Sequence, residues 1–339
     1  MQGFELTRFG GPEVMQLAEL PEPEPDAHRP VRVRLAWAGV NYVDTYQREG
    51  RYPGAALPWR LGLEAAGVVD AALPGSGFDV GDRVAMVAPV QGCYAEAITV
   101  APSLLVPVPD ALPLETAAAV LEHGLTAQMI VETVGRVQAG ERVLVHAAAG
   151  GVGALALQWA RALGAEVWGT VSSEEKAAAV AALGGIPLRY GPGSHTPWPD
   201  ALRRACRSLA AVGTIEPEVG VDLVLDGVAA DTLEGSLRVL RRGGRLVLYG
   251  SASGAVPTLS VPALMSHSLT VTRPVLPHYL GGPGVLQAKA AALFARVLRG
   301  ELQVHVHDRL PLAEAAAAHT LLQSRATRGK LLLRISGAA

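Results

Sequence analysis

The run Val143-Leu144-Val145-His146-Ala147-Ala148-Ala149-Gly150-Gly151-Val152-Gly153 constrains this chain more than any other stretch. Apolar residues of a short buried strand give way to small residues, which lead into an Ala/Leu-rich helical run ending at Leu163. Read as a turn, the pattern is Ala148-x-Gly150-x-x-Gly153. Small side chains there let the backbone approach a pyrophosphate, and Gly153 lets the helix pack closely on the strand. The helix start then offers free N–H groups and a positive dipole end to the anion. Such a turn has meaning only between a strand and a helix.

The chain around it alternates accordingly. Strands are expected at Arg142–His146, Ala165–Val171, Ile186–Tyr190, Asp222–Asp226, Arg245–Tyr249 and Leu269–Thr272. Helices are expected between them at Gly153–Leu163, Ser173–Leu183, Trp198–Ala211 and Thr232–Leu240. Right-handed crossovers of this kind build an α/β fold around a doubly wound parallel sheet. Residues 1–110 read differently. Short alternating runs such as Val31–Leu35 are punctuated by Gly10-Gly11-Pro12, Pro74-Gly75 and Val80-Gly81-Asp82, which predicts a β-rich lobe. A short helix is expected at Leu114–Leu121. After Pro274 come helices at Val285–Leu298 and Leu312–Gln323, then a lone strand at Lys330–Ile335, expected to rejoin the N-terminal lobe. Gly191–Pro199 reads as an irregular surface loop. The division is therefore 1–124 with 274–339, and 125–273.

Cofactor choice is read at the end of the second strand of the parallel sheet, where an Asp or Glu would hold a ribose 2′-hydroxyl. This chain has Ser172 and Ser173 there, with Lys176 one helical turn on. Hydroxyl donors and a cation suit a 2′-phosphate, which an acid would repel. The reading is NADPH. Glu174 and Glu175 also lie here, at a helix start where acids are ordinary.

Charge narrows the partners. Across 339 residues the formal net charge is −2, and no basic stripe is present, so a nucleic-acid or membrane-surface partner is not expected. Two cysteines, Cys93 and Cys206, are too few for a disulfide framework or a four-Cys zinc lobe, which suits a reducing cytoplasm. The N-terminal segment lacks the charged and apolar runs of a signal peptide.

Several segments together carry a family resemblance. Phe9-Gly10-Gly11-Pro12-Glu13-Val14, the run from Gly39 to Pro53, the turn from His146 to Gly153, Ser253-Gly254-Ala255, Thr272-Arg273-Pro274 and Ser324-Arg325-Ala326-Thr327 occur in family order. The chain resembles the zinc-free quinone oxidoreductase branch, relatives of zeta-crystallin, within the medium-chain dehydrogenase/reductase superfamily. The resemblance implies a Rossmann domain beside a β-rich GroES-like catalytic domain, with NADPH in the cleft between them. By matching position, Asn41, Tyr46 and Tyr52 are the implied catalytic residues. Tyr42, Asp44 and Thr126 would lie on the nicotinamide side, with Thr126 starting the central helix. Gly150, Gly151 and Val152 would hold the pyrophosphate. Ser172, Ser173, Lys176 and Tyr190 would surround the 2′-phosphate and ribose. Gly227, Ser251, Ser253, Gly254, Leu276 and Arg325 would complete the cofactor site. Two departures stand out. His123 precedes Gly124-Leu125-Thr126 where family members often carry a long amine or amide, and the 191–220 segment is longer.

No metal is expected. Zinc-dependent relatives use a Cys in the segment matching Asn41–Asp44 and a His in a Gly-His-Glu triplet; here no Cys occurs and the triplet reads Gly62-Leu63-Glu64. Without a Lewis acid, alcohol oxidation is disfavoured. Three functions follow, led by NADPH:quinone reduction by hydride transfer in the cleft. The second is alkenal or enoyl C=C reduction on the same scaffold, and the third a non-enzymatic NADPH-binding protein. Asp44 and Arg48, four apart, are expected to form a helical ion pair. His146 is expected to pack. Cys93, placed in a strand, has no partner that would make it a nucleophile. The edge Ser268–Thr272 is expected to pair with a twin as a homodimer.

Overall fold

A computed structural model of the protein describes residues 1–51, 56–190, 197–209 and 219–335. Tyr52 lies outside these, as do residues 191–196 of the expected loop. The chain divides into two compact units, Met1–Leu125 with Tyr279–Ala339, and Thr126–His278.

In the second unit, six parallel strands run among the described residues in the order Ile186–Arg189, Glu166–Val171, Arg142–Val145, Val221–Asp226, Leu240–Leu248 and Thr270–Thr272. In chain order this is 3-2-1-4-5-6, the doubly wound arrangement. Its reversal point lies beside Arg142–Val145, where the phosphate turn begins. Buried Leu144, Trp168, Val224 and Leu246 fill the sheet's core, because strands covered on both faces carry continuous apolar runs.

Every expected strand of this sheet forms, with shifted ends. Leu240–Leu248 starts five residues before the expected Arg245. The last strand begins at Thr270, since Ser268 has φ +52 and turns the chain. The helix expected from Trp198 begins there, as Trp198–Leu209, so Trp198 and Pro199 belong to it and not to the expected loop.

The first unit holds a mostly antiparallel sheet. Val31–Val40 is its long central strand, pairing with Ala65–Ala72, Ala97–Val100 and Lys330–Arg334. The terminal strand does rejoin this lobe, in the register Leu331 opposite Val40. Leu331, Leu332 and Leu333 are all buried, at about 2 kcal/mol each. Their neighbour Lys330 is buried with them, at 1% exposure.

Two expectations are corrected in this unit. The helix at Leu114 does not stop at Leu121 but runs to Gln128 and continues as a π-helical turn over Met129–Thr133. Thr126 therefore lies near the end of a helix, not at its start. Within the continued helix, a Cβ on Gly124 would meet the Leu293 side chain at 2.5 Å, so the glycine serves helix packing. Cys93 is not in a strand. It sits in an irregular segment with its N–H bonded to Gly62, fully buried, and burial pushes its thiol pKa well up. Among the described residues no helix is long and apolar enough to cross a membrane.

Candidate functional site

In the second unit, the turn after Arg142–Val145 is shaped by Ala147, whose φ of +50 is unusual for a residue with a side chain. Its N–H donates to the Thr170 hydroxyl at 3.2 Å, and its carbonyl accepts from Gly150 N–H at 2.8 Å. A Cβ on Gly153 would lie 2.4 Å from that carbonyl, so only glycine lets the helix Gly151–Ala162 start this close to the strand. Ala154 N–H makes the helix's first bond, to Gly150. The N–H groups of Gly151, Val152 and Gly153 precede it and point along the axis as an anion-binding terminus.

Ser172 is exposed at the end of Glu166–Val171. Ser173 caps the next helix, accepting Lys176 N–H at 3.2 Å, which leaves its hydroxyl proton available to donate. Tyr190 is brought beside them by its N–H bond to the Val171 carbonyl at 3.0 Å. Burial lowers the Lys176 pKa, with Glu175 opposing. Glu174 accepts a bond from Arg189, so one of the two acids at this edge is neutralised by an arginine.

Gly227, Ser251, Ser253 and Gly254 are gathered by backbone bonds from Ala252 N–H to Gly227 and from Ser253 N–H to Val228, with Gly254 N–H returning to Ser251. The Ser253 hydroxyl bridges the Val228 carbonyl at 2.7 Å and Asp231 N–H at 3.0 Å. Asp226 anchors the same loop through Val228 N–H, Ala229 N–H and the Thr232 hydroxyl. Leu276 is buried in this unit. His146 packs, as expected, but also links Thr170 and Ser236 hydroxyls at 3.0 Å each. Burial lowers its pKa, with Asp226 opposing.

The first unit carries a second constellation around the helix Tyr42–Arg48. Asn41 caps it and is 2% exposed. Asn41 Nδ2 donates to Glu64 Oε2 at 3.1 Å and more weakly to the Gly39 carbonyl at 3.4 Å. Asn41 Oδ1 accepts from Lys330 Nζ at 2.6 Å. Lys330 also donates to Glu64 Oε2 at 2.6 Å and lies 3.4 Å from His123 Nε2. The other Glu64 oxygen accepts Glu122 N–H at 2.7 Å. Burial, with Lys330 adding to it, holds the His123 pKa well below its ordinary value, so the ring is neutral and Nε2 can accept. A Cβ on Gly39 would fall 2.1 Å from Glu64 Oε2 and 2.9 Å from Lys330 Cε. Glycine at 39 makes the room for this pair.

The expected Asp44–Arg48 pair does not form. Asp44 Oδ2 instead accepts Asn41 N–H at 2.8 Å and the Tyr94 hydroxyl at 3.0 Å. Burial pushes its pKa up to about 7, against the pull of those two bonds. Arg48 donates to the Gly10 carbonyl, His319 Nδ1, Glu49 and Gln323. Burial, with Arg48 adding to it, pushes His319 down to about 3. Each member thus bonds to a long-range partner in place of its helical neighbour, Asp44 to Tyr94 and Arg48 to Gly10, His319 and Gln323. Tyr42 donates its hydroxyl to the Leu322 carbonyl at 2.9 Å. Tyr46 is half-buried with the Arg51 guanidinium 4.9 Å from its ring centre, and Arg325 sits exposed at φ +60.

Sequence reasoning missed Glu64 as anything but a failed metal ligand, and missed Lys330, Tyr94 and His319 altogether. A signal for Lys330 did exist. The chain holds three lysines against twenty-six arginines, and this one directly precedes Leu331-Leu332-Leu333. Among the described residues, no three His, Cys, Asp or Glu side chains group as metal ligands would.

Comparison with known proteins gives the family. Residues 27–110 match the family described as "Alcohol dehydrogenase GroES-like domain", and residues 151–293 that described as "Zinc-binding dehydrogenase". The chain is 40% identical over 335 residues to a quinone oxidoreductase of Pseudomonas aeruginosa, covering 97% of this chain and 98% of that protein. It is 36% identical to a 2-haloacrylate reductase of a Burkholderia species, covering 97% of each. The crystal structure of Escherichia coli quinone oxidoreductase complexed with NADPH superimposes with a TM-score of 0.90 at 34% identity, covering 98% of this chain and 100% of that one.

Proposed function

This chain belongs to the quinone oxidoreductase branch of the medium-chain dehydrogenase/reductase superfamily, and on that premise we propose that it reduces quinones with NADPH and without zinc. The observation that carries the cofactor choice is the strand end at Val171. Ser172, Ser173 and Lys176 stand there in place of an acid, and Glu174 is occupied by Arg189. An anionic 2′-phosphate gains charge-assisted bonds from such a set. The pyrophosphate would be held by the N–H groups of Gly151, Val152 and Gly153, and Gly227, Ser251, Ser253, Gly254, Leu276 and Arg325 would complete the cofactor site. Bound NADPH would supply the hydride equivalent. Tyr42, Asp44 and Thr126 would lie toward the nicotinamide. Asn41, Tyr46 and Tyr52 would serve the acceptor, the tyrosine hydroxyls orienting its oxygen or passing it a proton.

Zinc independence is supported by what occupies Glu64. Its carboxylate already accepts from Lys330, Asn41 and the Glu122 backbone, so the acid of the Gly62-Leu63-Glu64 triplet is spent on an internal cation. A quinone needs no Lewis acid to accept hydride, whereas an alcohol must be held as its alkoxide before it can give hydride up.

A second reading is reduction of a conjugated C=C bond, favoured by the likeness to a 2-haloacrylate reductase. Product analysis after incubation with NADPH and either a small quinone or an enone separates the two. Hydroquinone formed faster than saturated ketone supports the first reading, and the reverse order replaces it with the second.

The reading extends to assembly. Thr270–Thr272 ends the parallel sheet with one paired side, and Val261 and Met265 nearby are 77% and 80% exposed. A homodimer continuing the sheet across this edge would cover them. Cys93 and Cys206, both unpaired thiols, fit a cytoplasmic protein.

A further inference from the structure

We propose that Lys330 is the positioning residue for Asn41, fixing the direction of its amide and with it the start of the helix that carries Tyr42 and Tyr46. Three features argue for it. An ammonium has three N–H donors, and the described surroundings offer three acceptors, Asn41 Oδ1 and Glu64 Oε2 at 2.6 Å each and His123 Nε2 at 3.4 Å. The donor count matches the acceptor count.

Second, the amide can face only one way. Asn41 Oδ1 must accept from Lys330, and Nδ2 must donate to Glu64 Oε2; a flip would set Nδ2 against the ammonium and Oδ1 against a carboxylate. Third, the site selects lysine over arginine in a chain that elsewhere uses arginine for nearly every cation. A planar guanidinium cannot direct three bonds to acceptors clustered around one point, whereas a compact ammonium can. Gly39 gives up its side chain for the same arrangement.

The consequence concerns the reaction through Asn41, not through contact with the reacting atoms. Asn41 starts Tyr42–Arg48 through its backbone: its carbonyl accepts Asp44 N–H at 3.1 Å and its N–H donates to Asp44 Oδ2 at 2.8 Å. A lysine on the last strand that holds the Asn41 side chain therefore holds the residue from which the helix carrying Tyr46 starts. This rests on the reading of Tyr46 as an acceptor-orienting residue.

Asn41 is the single asparagine of the chain, so ¹⁵N-asparagine labelling gives one side-chain amide signal. Its protons should exchange slowly with solvent in the intact protein. Fast exchange there overturns the proposal before any variant is made. In Lys330→Met/Glu64→Gln both charges are removed together, so thermal stability should return toward the unaltered protein. Even so, Asn41 exchange should quicken and kcat/KM for a quinone should fall about tenfold or more, with NADPH Kd unchanged. Glu64→Gln keeps the lysine bond to Asn41 Oδ1 and leaves an amide oxygen to accept from Asn41 Nδ2, so it should retain slow exchange and kcat/KM within about threefold, while Lys330→Met should lose both. If the double variant kept slow exchange and full kcat/KM, or if the two single variants behaved alike, the lysine would be structural only. Absence of quinone turnover in the unaltered protein would remove the functional reading, while the Asn41 exchange comparison would still decide the positioning claim.

Discussion

The Lys330 ammonium lies 2.6 Å from the Asn41 side-chain oxygen, although 289 positions separate the two residues in the chain. Antiparallel pairing of Lys330–Arg334 with Val31–Val40 creates that contact, because Leu331 faces Val40 and the next residues outward are Lys330 and Asn41. A buried cation costs several kcal/mol unless paired, and here carboxylate, amide and imidazole all face it.

Gly39 should be intolerant of a side chain. Its Cβ would collide with Glu64 and Lys330 together, and neither can withdraw without leaving the other unpaired. Gly39→Ala is expected to cost about 2–3 kcal/mol by urea denaturation. Gly281→Ala, with open space around its position, should be within about 0.5 kcal/mol of the unaltered protein. Equal losses at the two sites would contradict the packing argument.

The phosphate turn should respond with opposite signs at two neighbouring positions. Ala147 sits at φ +50, so Ala147→Gly relieves a strain of about 1 kcal/mol and should be neutral to slightly stabilising. Gly153→Ala drives a methyl into the Ala147 carbonyl and should weaken NADPH binding by about tenfold or more. Calorimetric titration with thermal melting checks both. Loss of binding in Ala147→Gly with none in Gly153→Ala would reverse the account of the turn.

Cofactor selectivity should reside at one sheet edge. Lys176→Ala is expected to raise the KM for NADPH about tenfold or more while leaving that for NADH nearly unchanged, since a charge-assisted bond contributes about 1.5–3 kcal/mol. Ser172→Asp should lower the preference further by placing an acid where the 2′-phosphate belongs. Parallel changes for both cofactors would show that this edge does not read the phosphate.

Acid dependence of stability should reveal Asp44 and His319 as opposing groups. Asp44 is raised to about 7, so the folded state holds its proton more tightly than the unfolded one, and stability falls as pH rises from about 4 to 7. His319 is lowered to about 3, so the folded state resists its protonation, and stability rises with pH from about 3 to 6.5. The two slopes cancel in the unaltered protein between about pH 4 and 6.5. Asp44→Asn removes one of them, and its stability should climb with pH more steeply, by up to about 1.4 kcal/mol per pH unit. Parallel curves for the two proteins would rule this out.

Much of the nucleotide-side unit was legible from residues near one another in sequence. The strand before Ala147, the glycines after it and the serines ending the next strand are local patterns, and the parallel sheet follows from their alternation with helices. The helix expected to stop at Leu121 runs on through Gly124, a glycine kept for the approach of Leu293, a contact that no local pattern announces. The Asp44–Arg48 pair failed for a similar reason. Helical spacing brings two side chains within reach but says nothing of Tyr94, from an irregular segment, or His319, from a distant helix, which take their place. Glu64 and Lys330 were invisible as a pair because only the closing register of the last strand joins them.

The proposed reaction is hydride transfer from NADPH to a quinone without a metal ion. Its most direct test is NADPH oxidation by enzyme dialysed against a strong chelator, with metal content measured on the same sample. A small quinone should be reduced at the same rate before and after stripping, with metal far below one equivalent per chain. A rate that vanishes on stripping and returns with added zinc would contradict it.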